Sequence, residues 1–141
     1  MKLAMHLTLV SALTSFASSA AAVEAFAPTD AELTFLPPFC SVKLRQPQGS
    51  PQYKALEAQY GRANWVHLHH YCFAVNFVNR ARQATHPEDK RYRLESAQDN
   101  YEYIISHAAP NFFMRPQVYV ELGNVLMQLK RSGEALKMYS D

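Results

Sequence analysis

Residues 117–139, QVYVELGNVLMQLKRSGEALKMY, decide the fold. At helical spacing the stretch predicts two short helices folded together, the first carrying Tyr119, Leu122, Gly123 and Leu126 along one face. The second follows a break at Ser132-Gly133 and carries Ala135 and Tyr139. Gly123 and Ala135 are the small residues at which two backbones can approach closely. Tyr119, Leu122, Leu126 and Tyr139 fill the space around them.

Toward the N-terminus the same grammar repeats in a longer form. From Trp65 to about Ala84 there is no Pro or Gly, and Leu68, Tyr71, Cys72, Val75 and Val78 make an apolar stripe with Ala74, Phe77 and Ala81 beside it. So wide an apolar face predicts a central helix. Thr85-His86-Pro87-Glu88 gives a helix start with Thr-x-x-Glu as a capping box and Pro87 near the first turn. Tyr92, Leu94, Ala97, Tyr101, Ile104 and Ile105 then continue at helical spacing to about His107, and Pro110 prevents continuation. Ala97 and Tyr101 repeat the spacing of Ala135 and Tyr139, while Ala74 and Phe77 stand where Gly123 and Leu126 stand later. The first unit is longer: 23 residues separate Ala74 from Ala97, against 12 from Gly123 to Ala135. Between the units, Phe112 and Phe113 are expected to plug the gap between layers.

The order of an aromatic, Leu-Gly, a large residue, then Ala and an aromatic four on resembles the tetratricopeptide repeat, specifically over Gln117–Tyr139 and more loosely over Trp65–Pro110. The resemblance implies an all-α architecture of stacked antiparallel helical hairpins, an α-solenoid fragment preceded by an extended N-terminal arm. Its signature positions are Ala74, Ala97, Tyr101, Tyr119, Leu122, Gly123, Leu126, Ala135 and Tyr139. Residues 64–110 form an elongated unit and 116–141 an incomplete one. Stacked hairpins bury a continuous core and need about three units. The sequence is therefore read as a fragment of a longer protein, the alternative being a partner or second copy over the exposed end.

Residues 23–63 are Pro-rich. Pro28, Pro37, Pro38 and Pro47 oppose regular helix, which predicts an extended arm anchored by Leu36, Phe39 and Cys40. Ser50-Pro51 starts a short helix at about 51–60, and Asn64 is expected to cap the next one. Residues 1–22 have the layout of a secretory signal peptide: Lys2, an apolar stretch from Leu3 to Phe16, then small residues through Ala22. Export makes the two cysteines, Cys40 and Cys72, a disulfide candidate. Two unpaired buried thiols, or a reactive Cys72–His69 pair, are the alternatives. Leu36-Pro37-Pro38-Phe39-Cys40 with Leu68-His69-His70-Tyr71-Cys72-Phe73-Ala74-Val75-Asn76 looks like exported tetratricopeptide proteins of Gram-negative bacteria. That likeness implies a periplasmic or secreted adaptor serving pilus, polysaccharide or envelope assembly.

Composition bounds the chemistry. A formal charge of +2, with 14 Lys and Arg interleaved among 12 Asp and Glu, disfavours a nucleic-acid partner. There is no Gly-x-Ser-x-Gly and no glycine-rich phosphate loop, so an enzyme is not expected and no cofactor is assigned. His67 and His70, three apart on one helix, supply the alternative of an exported metal- or haem-binding protein. They lack an HExxH or Cys-x-x-Cys-His context. The favoured reading is packing of His70 in an aromatic position, with His67 and His69 at a polar rim near the helix start.

What remains is a binding surface. In stacked hairpins the first helix of each pair lines the concave side, which presents Leu68, Tyr71, Val75 and Asn79 from one unit and Val120, Asn124, Met127 and Gln128 from the next. Amides can satisfy the backbone of an extended peptide while apolar neighbours take its side chains. The expectation is a non-catalytic scaffold holding a protein or peptide partner, with no stable membrane span after signal cleavage. The alternative is that these positions pack against the arm or a neighbouring helix.

Overall fold

The structure, a computed structural model, describes residues 26–140. The expected signal peptide over residues 1–22 lies outside them. Among the described residues the chain is all-helical. No helix there is long and apolar enough to cross a membrane.

Two antiparallel hairpins carry the molecule. Helix α5 (Leu68–Gln83) and α6 (Pro87–His107) form the first, and α7 (Arg115–Gln128) and α8 (Ser132–Ser140) the second. Contacts of α6 with α7 and with the turn after it fix their sense. Arg115 Nη1 donates to the Ile105 carbonyl at 2.8 Å, the Tyr101 hydroxyl to Glu121 Oε2 at 2.5 Å, and Arg131 Nη1 to Gln98 Oε1 at 2.7 Å. Each helix therefore runs against its predecessor, and α5 and α7 run parallel.

The extra length of the first unit is shared between its helices. Relative to the aligned small residues, α5 runs four residues further than α7 and α6 begins seven residues earlier than α8. Ala74, Ala97 and Ala135 are fully buried, and Leu122 and Leu126 almost so. Gly123 meets a ring rather than a backbone: a Cβ there would overlap the Tyr139 side chain. The break between α7 and α8 falls earlier than the sequence indicates. Lys130 takes the left-handed conformation (φ 62°), Arg131 N–H bonds the Leu126 carbonyl and Lys130 N–H that of Met127, while Gly133 lies inside α8. That is the Schellman closure, with lysine where glycine is usual.

The Pro-rich segment differs from the extended arm expected. It contains α1 (Asp30–Leu33) and the two-turn α2 (Pro38–Arg45), followed by α3 (Pro51–Tyr60) and α4 (Arg62–Trp65). Pro38 occupies the first helical position, where a missing N–H costs nothing and the fixed φ is already helical. The anchors hold: Leu36 and Phe39 are buried, and Cys40 is bonded to Cys72 with Cα atoms 5.6 Å apart. Both thiols being in the bond, neither is free to pair with His69. A second tie joins α1 to α5. Arg80, only 6% exposed, forks onto Glu32 at 2.6 and 2.8 Å, while Glu32 also accepts from Thr29 N–H in a capping box. The Arg80 guanidinium, ahead of the Thr29 bonds, holds the Glu32 carboxyl at about 2.

Several local expectations are corrected. Asn64 does not cap α5; its amide donates to the Tyr60 carbonyl at 3.1 Å and accepts from Ala109 N–H at 2.9 Å, tying the turn after α3 to the inter-hairpin linker. Thr85 does not cap α6, which begins after His86 with no side-chain cap. Phe112 is buried as expected, whereas Phe113 is 62% exposed, its ring tilted against Tyr60 at 5.4 Å between centroids. Tyr92, placed on the apolar stripe, is exposed. Trp65, assigned no role from its sequence position, is fully buried among Phe39, Tyr53 and Tyr60.

Candidate functional site

The parallel course of α5 and α7 leaves a cleft of about 330 Å³ between them. Tyr71, Val75, Val78, Asn79 and Arg82 line it from α5, Gln117, Glu121, Asn124, Val125 and Gln128 from α7, with Tyr101 and Pro37 completing the walls. Five of the eight groove residues expected from sequence thus meet in one place: Tyr71, Val75, Asn79, Asn124 and Gln128. Val120 and Met127 do not line the cleft; both are about half exposed on a different face of α7. Leu68 is fully buried and lines none of it.

A hydrogen-bond network floors one end. Glu121 Oε1 accepts from the Tyr71 hydroxyl at 2.8 Å and from Gln117 Nε2 at 2.9 Å; its Oε2 accepts from the Tyr101 hydroxyl. Gln117 Nε2 also donates to the Tyr71 oxygen at 2.7 Å. Burial, reinforced by the Glu121 charge, pushes both phenols well above the usual tyrosine range, so they remain hydrogen-bond donors. This network joins three helices and fixes the cleft's width. Glu121 was absent from the sequence reading because its partners lie 50 and 20 positions away. The only available signal was a lone carboxylate beside Leu122 on a largely apolar helix.

The other end is richer in amides and charge. Arg82 Nη1 donates to Asn79 Oδ1 at 2.9 Å, and Gln128 Nε2 reaches the Asn124 carbonyl at 3.4 Å. Asn79 and Arg82 are shared with a neighbouring cavity of about 300 Å³ reaching Glu32 and the exposed Phe35. The cleft therefore continues along α5 toward the first helices. At that cavity's wall Asn76, buried, has an amide nitrogen without a hydrogen-bond partner.

The histidines fall at the opposite rim, where α5 begins and α6 ends. His70 stacks on Tyr103 (3.7 Å between centroids) and Tyr103 on His107 (3.9 Å), with His67 5.5 Å from His107. His70 Nδ1 meets Asn100 Oδ1 at 2.8 Å, and His69 Nδ1 meets the Val66 carbonyl at 2.9 Å. Desolvation, then the neighbouring cationic rings and Lys43, lowers His67 and His69; desolvation outweighs the Asn100 bond to lower His70. Among the described residues no three His, Cys, Asp or Glu side chains are grouped to hold a metal ion. His67 and His70 serve this rim as packed aromatic rings.

The remaining signature residues are structural in placement. Tyr119 accepts from Arg115 Nη2 at 2.9 Å, and the Tyr139 hydroxyl donates to Asn124 Oδ1 at 2.9 Å. The second of these orients a groove amide from behind. No protein-family model, curated protein or solved structure matches the chain.

Proposed function

We propose that the chain is a non-catalytic interaction scaffold of the tetratricopeptide type, exported to the bacterial periplasm or envelope, that holds an extended peptide segment of a partner protein in the cleft between α5 and α7. The observation that carries the reading is the composition of that cleft. Apolar Val75, Val78 and Val125 alternate with the amides of Asn79, Asn124 and Gln128 along two parallel helices. Side-chain amides present both donor and acceptor, which is what the backbone of a strand lacking a sheet partner requires. From Tyr71 to Arg82 the helix advances roughly 16 Å, the reach of about five extended residues.

The Cys40–Cys72 bond and the absence of a membrane-crossing helix among the described residues fit an exported protein. The resemblance over Gln117–Tyr139 supports the class of scaffold. A peptide library displayed on phage and panned against the full chain tests the proposal. Enriched sequences are expected to bind at least tenfold more weakly to a N79A/N124A/Q128A variant whose thermal unfolding is unchanged. Equal binding by that variant, or no enrichment at all, would reject the groove.

A further inference from the structure

The two hairpins correspond position by position: Ala74 with Gly123 and Phe77 with Leu126 in their first helices, Ala97 with Ala135 in their second. All of these are buried. In the first hairpin, Tyr71 and Tyr101 bond Glu121 of the second, Gln98 bonds its Arg131, and Val78 lines the cleft between the two; Tyr71, Val78, Gln98 and Tyr101 retain 1%, 9%, 9% and 1% of their exposure. In the same register the second hairpin places Val120, Met127, Leu136 and Tyr139. These are 48%, 49%, 66% and 44% exposed. These four positions, buried in the first unit, are thus apolar in the second unit and open to water. Surface hydrophobics scattered singly need no explanation, but four at equivalent positions of a repeated interface do.

From this we infer that the outer face of α7 and α8 is a docking surface for a third helical hairpin, stacked on the second as the second is stacked on the first. The partner's chemistry can be read from what covers the first unit. Val118, Leu122 and Val125 on α7 are buried, and Glu121 between them accepts the two phenols. The docking helix therefore carries apolar residues at i, i+4 and i+7. A second copy of the chain does not offer that face, since its own Val118, Leu122 and Val125 are already covered. This inference rests on the correspondence of the hairpins alone and stands whether or not the cleft binds peptide.

The test extends the full chain. In register Glu102 corresponds to Ser140, so a copy of residues 103–140 joined directly after Ser140, in place of Asp141, continues α8 as α6 continues and supplies a hairpin with the required face. Stability of stacked repeats grows with each interface. The graft is therefore expected to raise Tm by at least about 5 °C and to resist protease. V120D with L136D should abolish that gain while leaving the ungrafted chain's Tm nearly unchanged. A second graft onto V120Y/M127V, which restores the side chains of the first unit, guards against a poor fit of the copied hairpin. If neither graft gains stability or protection, the inference fails. It fails equally if the ungrafted chain sediments as a dimer that V120D/L136D returns to monomer, because the face would then belong to a second copy.

Discussion

Lys130 is the one non-glycine residue with positive φ among the described residues, and it closes α7. A side chain costs about 1–2 kcal/mol in that conformation, and glycine avoids the cost. Lys130→Gly is therefore expected to stabilise the chain by about 1 kcal/mol, seen as a higher urea midpoint at unchanged slope. Glu121 works in the other direction. Glu121→Leu strands two buried phenols and should destabilise by about 2 kcal/mol. The loss should shrink in the Y71F/Y101F background, which a double-mutant comparison measures. At this scale the sequence was legible wherever a residue's role depends on helical spacing, as for Ala74, Leu122 or Ala135. It was silent for Glu121, Arg80 and Asn100, whose roles depend on partners in other helices. Ser132-Gly133 misled because the turn was closed by hydrogen bonds to Leu126 and Met127 rather than by the residue with the greatest backbone freedom.

Among the elements, α2 shows why proline counting misjudged residues 37–45. Proline excludes helix from its own interior but not from its first position, and Pro38 stands there. The short helix then aims Cys40 at α5. The bond closes a loop of sequence separation 32, and its reduction should remove about 3–4 kcal/mol of stability. Urea titration with and without reductant measures this; coincident midpoints would contradict it. The α5–α6 rim adds a dependence on pH. His67, His69 and His70 titrate below 6.5 in the folded chain, so the unfolded chain binds their protons first as pH falls. Their stabilising effect is complete above about 6.5 and is lost through the range beneath it. The Glu32–Arg80 pair is lost only at lower pH, between 4.5 and about 2. Thermal melts from about pH 8 to about pH 5 should therefore show a falling Tm, and His67→Gln with His69→Gln should flatten the slope.

For the whole molecule, pairing of helices into hairpins could be read from sequence because it follows from local periodicity and small residues. The cleft could be only partly read. Its residues were nominated by which helix leads each hairpin, and the face they occupy depends on the rotation of α7 against α5. Glu121 sets that rotation through its bonds to Tyr71 and Tyr101, turning Asn124 and Gln128 inward while Val120 and Met127 point along the stack. The same rotation separates two surfaces, a cleft lined with amides and an apolar end face. The measurement that bears most directly on the cleft is amide hydrogen exchange of the full chain with and without a selected peptide. The account predicts slowed exchange in 71–82 and 117–128, with the His67–His107 rim unaffected. Protection confined to that rim, or to α8, would contradict it.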